Sequence, residues 1–379
     1  MRTLAALLLF ALLTLVAPTL HAAEPWLKPN DVVALVGGED MVALAEEGWL
    51  ETLVTWAQPG DRIRFRSLAW EGDTVFEQRR DLNYPTLETQ LDRMGATVVI
   101  CQFGKMESFA GKEGVVAFTE AYEKLLARLS GENEWHLRLD GEFNQVARRN
   151  YGQRHLRLGG EFNPNGHTAD SAYMTIFDQV FLTLGGYNRD GFSGKKKRRI
   201  ALVMPMQFLQ RPPGIEGADL PHLTPRNADL ASYRESIRTL AGKHGGLALD
   251  AWSTMLESHR GSWATHDGIH LKTDWQLPAA ALLFRGLQMK PEGSVPIADS
   301  GALDHMQPLR AAILAKNRLW FHYTRPQNWA FLAGNRTNQP SSRDHLDPAK
   351  RWFPEEMEQW LPLIEAKERE IQTLAAAPR

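Results

Sequence analysis

The feature that most constrains the fold is a set of five short apolar runs rich in β-branched residues, four of them apolar at consecutive positions and the second alternating arginines with Ile63 and Phe65. They are "VVALV" (32–36), "RIRFRSLAW" (62–70), "TVVICQF" (97–103), "RIALVMP" (199–205) and "LALDAW" (247–252). A strand with one wet face alternates, whereas a strand buried on both faces reads as a continuous apolar run. Between or after these runs lie segments with apolar residues at three- and four-residue spacing, at about 40–57, 86–94, 114–130, 227–243 and 274–288. Strands buried on both faces and alternating with helices predict a three-layer α/β/α sandwich around a five-stranded parallel sheet. Right-handed crossovers would place helices on both sides of it.

The core must be an ordinary hydrophobic one. The chain has a single cysteine, Cys101, so no intramolecular disulfide can form. A hydrophobic content of 43% and twelve tryptophans are ample for a chain of this length, which suits one to two domains.

Three segments depart from the alternation. At the start, Arg2 precedes "LAALLLFALLTLV" and "LHAAEP" follows, the pattern of a secretory signal peptide (1–23) cleaved after Ala22 or Ala23. The apolar run is short of the ~20 residues of a spanning helix, so no stable membrane anchor is expected and the destination is the periplasm or beyond. From about 132 to 198 the chain is polar, glycine-rich and strand-like, with the near-repeat "LRLDGEF" (137–143) and "LRLGGEF" (156–162). Two copies are too few for a solenoid, so this reads as a β-rich insertion in the main domain (24–290), a lid or wall beside the site. Its end, "GKKKRR", reads as a solvated turn or an anion-binding patch. After a linker, "PEGSVP" (291–296), comes a helical C-terminal extension (291–379) packed on the domain. Its first helix stops before Pro326, "SSRDHLDPAKRWFPEE" reads as loop, and a final helix continues despite Pro362. Forty-three Lys+Arg against forty-five Asp+Glu leave a net charge of -2, which argues against nucleic acid or an anionic membrane surface as partner.

In an open parallel sheet, ligands bind beyond the carboxyl ends of the strands. After the first strand stand Gly37, Gly38 and Glu39; after the second, Gly72 and Asp73; after the third, Met106 and Glu107. The fourth leads to Gln207, and the fifth to "THDGIHL" with Asp267 and His270. Glycines, carboxylates and a histidine are thus expected at one edge.

These blocks resemble those of the SGNH (GDSL-type) hydrolases. "VGGED" stands where that family has Gly-Asp-Ser, "AWEGDTV" matches its second block, "FGKMESFAG" its third and "DGIHL" its Asp-x-x-His block. The four occur in order, each after the corresponding strand, over roughly 30–290 apart from the insertion. The tail "AKNRLWFHYTRPQN" resembles a secreted bacterial branch of the superfamily. The resemblance implies the flavodoxin-like SGNH hydrolase fold and a site at Glu39, Gly72, Asp267 and His270, with no cofactor. It also exposes two departures. The family's serine falls on Glu39, and the block-three asparagine falls on Met106.

In serine hydrolases the hydroxyl attacks, a histidine takes its proton and an aspartate orients the histidine. A carboxylate cannot take the serine's part in ordinary ester hydrolysis, because the mixed anhydride is more reactive than the ester. Glu39 also starts a helix, where a carboxylate is favoured and would repel the oxyanion. Met106 forfeits an oxyanion donor worth about 3–4 kcal/mol. Three readings remain for Glu39, Asp267 and His270: a fossil pair kept for loop structure, an ion pair lining a polar pocket, or a metal site completed by His266 or Asp267. Ser108, the nearest other hydroxyl, follows the third strand and lacks the helix-start position.

In the tail, Trp320, Phe321, Tyr323, Trp329 and Phe331 surround Arg325, Gln327 and Asn328. This set suits either a sugar platform or an adhesive between tail and domain. The resembling branch carries Arg-Pro-Gln-Asn here as well. The expected function is an esterase-like protein without serine chemistry that binds a glycan or acylated sugar, with Met106, Glu107, Arg325, Gln327 and Asn328 as ligand contacts. The alternative is a carbohydrate O-acyl esterase in which His270 is the general base for water and Glu39 positions it.

Overall fold

The five apolar runs form one sheet in the computed structural model, which describes residues 25–78, 80, 84–131, 197–210, 223–253, 264–289 and 300–377. Its strands are β1 (Val32–Gly37), β2 (Arg64–Ser67), β3 (Val98–Gln102), β4 (Arg199–Val203) and β5 (Leu247–Leu249). All pair in parallel, in the order β2-β1-β3-β4-β5. The chain steps outward from β1 to β2, then returns across β1 to build β3, β4 and β5. This is the doubly wound order, with its switch point between β1 and β3.

Side chains alternate across each strand and supply two separate cores. Val33, Leu35, Val98, Ile100, Ala201 and Val203 pack on one side of the sheet. Ala34, Val36, Val99, Cys101, Ile200 and Leu202 pack on the other. The first core is covered by α1 (Glu39–Glu47), α2 (Trp49–Ala57) and α6 (Thr273–Gly286), the second by α3 (Leu87–Arg93), α4 (Val115–Ser130) and α5 (Asn227–Lys243). Burial pushes the Cys101 thiol up to about 12, against a weak contact with the Tyr122 hydroxyl. It is an inert core group.

Local chemistry accounts for the departures from the expected boundaries. The helix expected over 40–57 is two, because Gly48 takes a left-handed conformation (φ 67) and ends α1. A Cβ at that position would lie 2.9 Å from Leu314 Cδ2, so the turn also permits a close approach of the tail. In the extension, α7 (Ser300–Thr324) and α8 (Trp329–Leu332) precede α9 (Trp352–Glu358) and α10 (Trp360–Ala375). Part of the stretch read as loop is therefore helical. Pro354 and Pro362 fall at the third residue of α9 and of α10, in the first turn, where a missing N–H costs no helical hydrogen bond.

Helix α7 closes the free edge of the sheet. β2 is an edge strand, and its carbonyls would face outward unpaired. Lys316 Nζ donates to Phe65 O at 2.9 Å, and Trp320 Nε1 to Ser67 O at 2.7 Å. Lys316 is fully buried and takes Glu51 Oε2 as its counter-ion at 2.8 Å. Burial pushes Lys316 down and Glu51 up from their ordinary values, each opposed by the other's charge. Arg66 on β2 pairs with Glu368 of α10 and lies over the Trp320 ring.

The signal segment 1–23, residues 132–196 of the insertion and the linker 291–296 lie outside the described residues. Among the described residues, no helix is long and apolar enough to cross a membrane.

The Lys316 contact yields a stability prediction. Lys316→Met leaves Glu51 buried without a partner and should lower the unfolding free energy by about 3–5 kcal/mol. Lys316→Met with Glu51→Leu should recover most of that loss. Urea denaturation of the two variants measures it, and equal losses in both would refute the pairing.

Candidate active site

The site begins where β1 runs out. Gly37 has φ 146, and a Cβ there would stand 2.5 Å from Gln102 O, so only glycine lets β1 and β3 end this close together. Gly38 then serves as the N-cap residue of α1, and Glu39 is its first residue. Glu39 therefore projects from a helix N-terminus at the switch point, with its side chain 60% exposed.

Asp267 and His270 meet it from the other side. Thr265 and Leu271 pair as an antiparallel bridge, His266 N donates to His270 O, and Thr265 Oγ1 accepts from Gly268 N. This tight hairpin after β5 sets the three-residue spacing to use. Asp267 Oδ1 accepts from the backbone N–H of Ile269 at 2.9 Å and of His270 at 2.8 Å, while Oδ2 meets His270 Nδ1 at 2.5 Å. On its other side the imidazole presents Nε2 to Glu39 Oε2 at 3.0 Å. The result is a line, Asp267–His270–Glu39, with the ring in the middle.

Partial burial pushes the Asp267 carboxyl up, but the two backbone donors and the imidazole outweigh it and hold the group below its usual range. Its folded value is thus below its unfolded value. The stabilising contribution is complete above the unfolded value of about 3.9 and disappears only as pH falls through the lower, folded one. A carboxylate anion only accepts hydrogen bonds. With a proton on each nitrogen the ring donates to both carboxylates, and in that state it offers no lone pair for general-base work.

The remaining expected residues divide into groups near the line and groups used elsewhere. Gly72 occupies the third position of the turn Trp70–Asp73, with φ 82 and Asp73 N donating to Trp70 O. Trp70 N donates to Gly37 O at 2.9 Å, which brings this turn beside Glu39. Met106 is exposed at 59%. Glu107 is buried, and its carboxylate accepts from Val75 N at 2.8 Å and Gly104 N at 2.7 Å. Burial pushes it up and the backbone donors pull it down, with a net rise. Its oxygens tie the second and third loops together, which is a scaffold role and not the ligand contact expected from its position.

Ser108 is fully buried, and its hydroxyl donates to Lys105 O at 2.7 Å. His266 is exposed. Among the described residues no three His, Cys, Asp or Glu side chains converge to hold a metal ion.

From the tail, Arg325 reaches the loop after β2. Its guanidinium donates to Glu71 Oε2 at 2.8 Å and Ala69 O at 2.6 Å, and lies 4.1 Å over the Trp70 ring. Gln327 is exposed, and the Asn328 carbonyl begins α8; neither has a described contact with Glu39, Asp267 or His270. Trp320 is buried and bonded to Ser67, so it glues tail to domain, whereas Phe321 is 41% exposed.

Two residues that sequence reasoning missed hold the site together. Lys105 Nζ bridges both Asp40 carboxylate oxygens at 3.2 Å and Ile269 O at 2.7 Å. It thereby joins the third loop, the start of α1 and the histidine hairpin. Arg80 makes two 2.9 Å bonds to the buried Asp73 carboxylate and lies 4.6 Å over the Trp70 ring. Lys105 lies inside the third block, but its partners are distant in sequence, so no local pattern marks it.

No protein-family model and no curated protein matches the sequence. Solved structures do resemble it. A catalytic mutant of an acetylxylan esterase from Geobacillus stearothermophilus is 11% identical, with a TM-score of 0.37, over 71% of this chain and 99% of that one. A protein described as a GDSL-like lipase from Parabacteroides merdae is 10% identical, with a TM-score of 0.37, over 70% and 98%. A gut microbial diltiazem-metabolizing enzyme is 10% identical, with a TM-score of 0.45, over 92% and 94%.

The Lys105 bridge is testable. Lys105→Met leaves Asp40 and the Ile269 carbonyl without their donor and should cost about 1–3 kcal/mol. Hydrogen exchange should quicken over 265–271 and at the start of α1, with β3 unchanged. Unaltered exchange in the hairpin would refute the tie.

Proposed function

We propose that this protein is an exported, divergent SGNH-type protein that has lost serine-type ester hydrolysis. In this reading it binds a glycan or acylated sugar at the ancestral hydrolytic site. One observation carries the reading: the Glu39 carboxylate sits on His270 Nε2, at the helix start where a hydroxyl nucleophile would have to stand. The histidine face that would take the nucleophile's proton is occupied by a group with no proton to give as an anion. Met106 offers no polar hydrogen to an oxyanion, and it is exposed.

The surroundings suit an uncharged polar ligand with an apolar side. The carboxylate–imidazole line offers hydrogen bonds to hydroxyls. Phe76 and Met106, exposed at 58% and 59%, stand on the two loops that Glu107 ties together, and an acyl group or a sugar's C–H face can rest on them. The second reading, water activated by His270, draws on the retained Asp267–His270 contact. It requires Glu39 to release Nε2.

The two readings give different results. The proposed reading predicts no covalent labelling by a fluorophosphonate, no hydrolysis of nitrophenyl acetate above buffer, and binding of acetylated sugars without turnover. Ester turnover abolished by His270→Ala would overturn it in favour of the enzyme. The double change Glu39→Ser and Met106→Asn should confer weak hydrolysis of a small activated ester, since His270 and Asp267 already stand in line. Glu39→Ser alone should be about 10²–10³ slower than the pair, the contribution of one oxyanion donor. His270→Ala in the rebuilt protein should remove the new activity. A folded double variant that stays inert would mean Glu39 does not occupy the nucleophile position.

A further inference from the structure

A cleft lies further along the helix that Glu39 begins. Glu39, Val42 and Glu46 are spaced i, i+3 and i+7 on α1, so they share one face of the helix. Val42 and Glu46 line a cleft of about 410 Å3 that also includes Ala69, with Arg318 and Phe321 of α7 and Arg325 just beyond its end on the far wall. At 1.5 Å of rise per residue, these two positions lie roughly 5 and 10 Å along the helix from Glu39. The volume is within the range of small-molecule sites, about 300–1,000 Å3.

The walls narrow the chemistry of the occupant. Phe321 lines the cleft and is 41% exposed, and the Arg325 guanidinium lies 4.8 Å over its ring. Arg325 is neutralised by Glu71 and fixed by Ala69 O, so it contributes a planar surface more than a free charge. At the rim, Arg318 and Glu46 are exposed and have no ion pair among the described residues. One offers donors and the other acceptors, and their charges cancel as a field. An apolar hydrocarbon would leave both unused. A phosphate would meet Glu46. A sugar ring matches the set, with a C–H face for Phe321 and hydroxyl edges for Arg318 and Glu46.

We propose that this cleft is a second subsite for an oligosaccharide, with the acyl-bearing unit at Glu39 and His270 and the following units running between α1 and α7. The proposal rests on the glycan reading above and extends it, because the C-terminal extension then sets how long a ligand the protein prefers.

Titration calorimetry with partially O-acetylated xylo-oligosaccharides and with chito-oligosaccharides, each from one to five units, tests it. Affinity should rise about tenfold or more between one and three units and then level off. Phe321→Ala should abolish that gain while leaving single-unit affinity unchanged, and Arg318→Gln should reduce the gain. Arg318 is exposed and has no ion pair among the described residues, so its variant stands in for Phe321→Ala if that protein fails to fold. Binding that is independent of length, or a length gain untouched in both folded variants, overturns the second subsite and leaves the glycan reading intact. Absence of binding by every member of both series overturns the two together.

Discussion

The architecture depends on how the outer edge of β2 is satisfied. An edge strand turns a row of backbone groups outward, and each one buried without a partner costs as much as a lost hydrogen bond. Here the tail covers that edge with side-chain donors in place of another strand. Lys316 and Trp320, four residues apart on one face of α7, reach Phe65 O and Ser67 O. A lysine can be buried there only because Glu51 on α2 meets it, and so the edge, the first helical layer and the tail form one electrostatic unit. Once α7 is fixed in that register, Arg325 just beyond its end falls onto Ala69 and Glu71, in the loop leaving β2.

That loop is one of three knitted beneath the Glu39–His270–Asp267 line, and the knitting uses none of the groups a serine hydrolase needs for chemistry. Glu107 holds the second loop to the third, Lys105 holds the third to α1 and to the histidine hairpin, and Arg80 braces Asp73. Scaffold and chemistry are therefore separable here. A carboxylate at Glu39 disturbs little, because it is 60% exposed and avoids the cost of burying a charge. Its helix-start position favours an anion in any case.

Much of this was legible from local pattern. Apolar runs named all five strands, the second by its alternation of arginine with Ile63 and Phe65, and the order of glycine and carboxylate blocks after them placed Glu39, Gly72, Asp267 and His270 at one edge. What escaped prediction depends on partners far along the chain. Gly48 ends a helix by its left-handed conformation, and the close approach of Leu314, 2.9 Å from where a Cβ would stand, is a contact with the distant tail. Lys316 looks like any solvated cation on an amphipathic helix, and only the open edge of β2 gives it a buried partner. Glu107 stands where a ligand contact was expected, yet both its oxygens are taken by backbone N–H groups that no residue-type pattern reveals. Of the tail aromatics, Trp320 and Phe321 are adjacent in sequence and opposite in fate. One faces the sheet and the other faces out, a distinction set by the rotation of α7.

That rotation links the two halves of the proposed ligand surface. The same register that points Lys316 and Trp320 at the β2 edge turns Arg318 and Phe321 toward the other side of the helix, where they line the cleft beside α1. The ion line comes from the sheet's own loops, and its opposite wall comes from the extension. A change at the buried Lys316–Glu51 contact would therefore act at a distance on the cleft without touching the line at Glu39. The energetics of an edge strand and the reach of the binding surface are two consequences of one helix orientation.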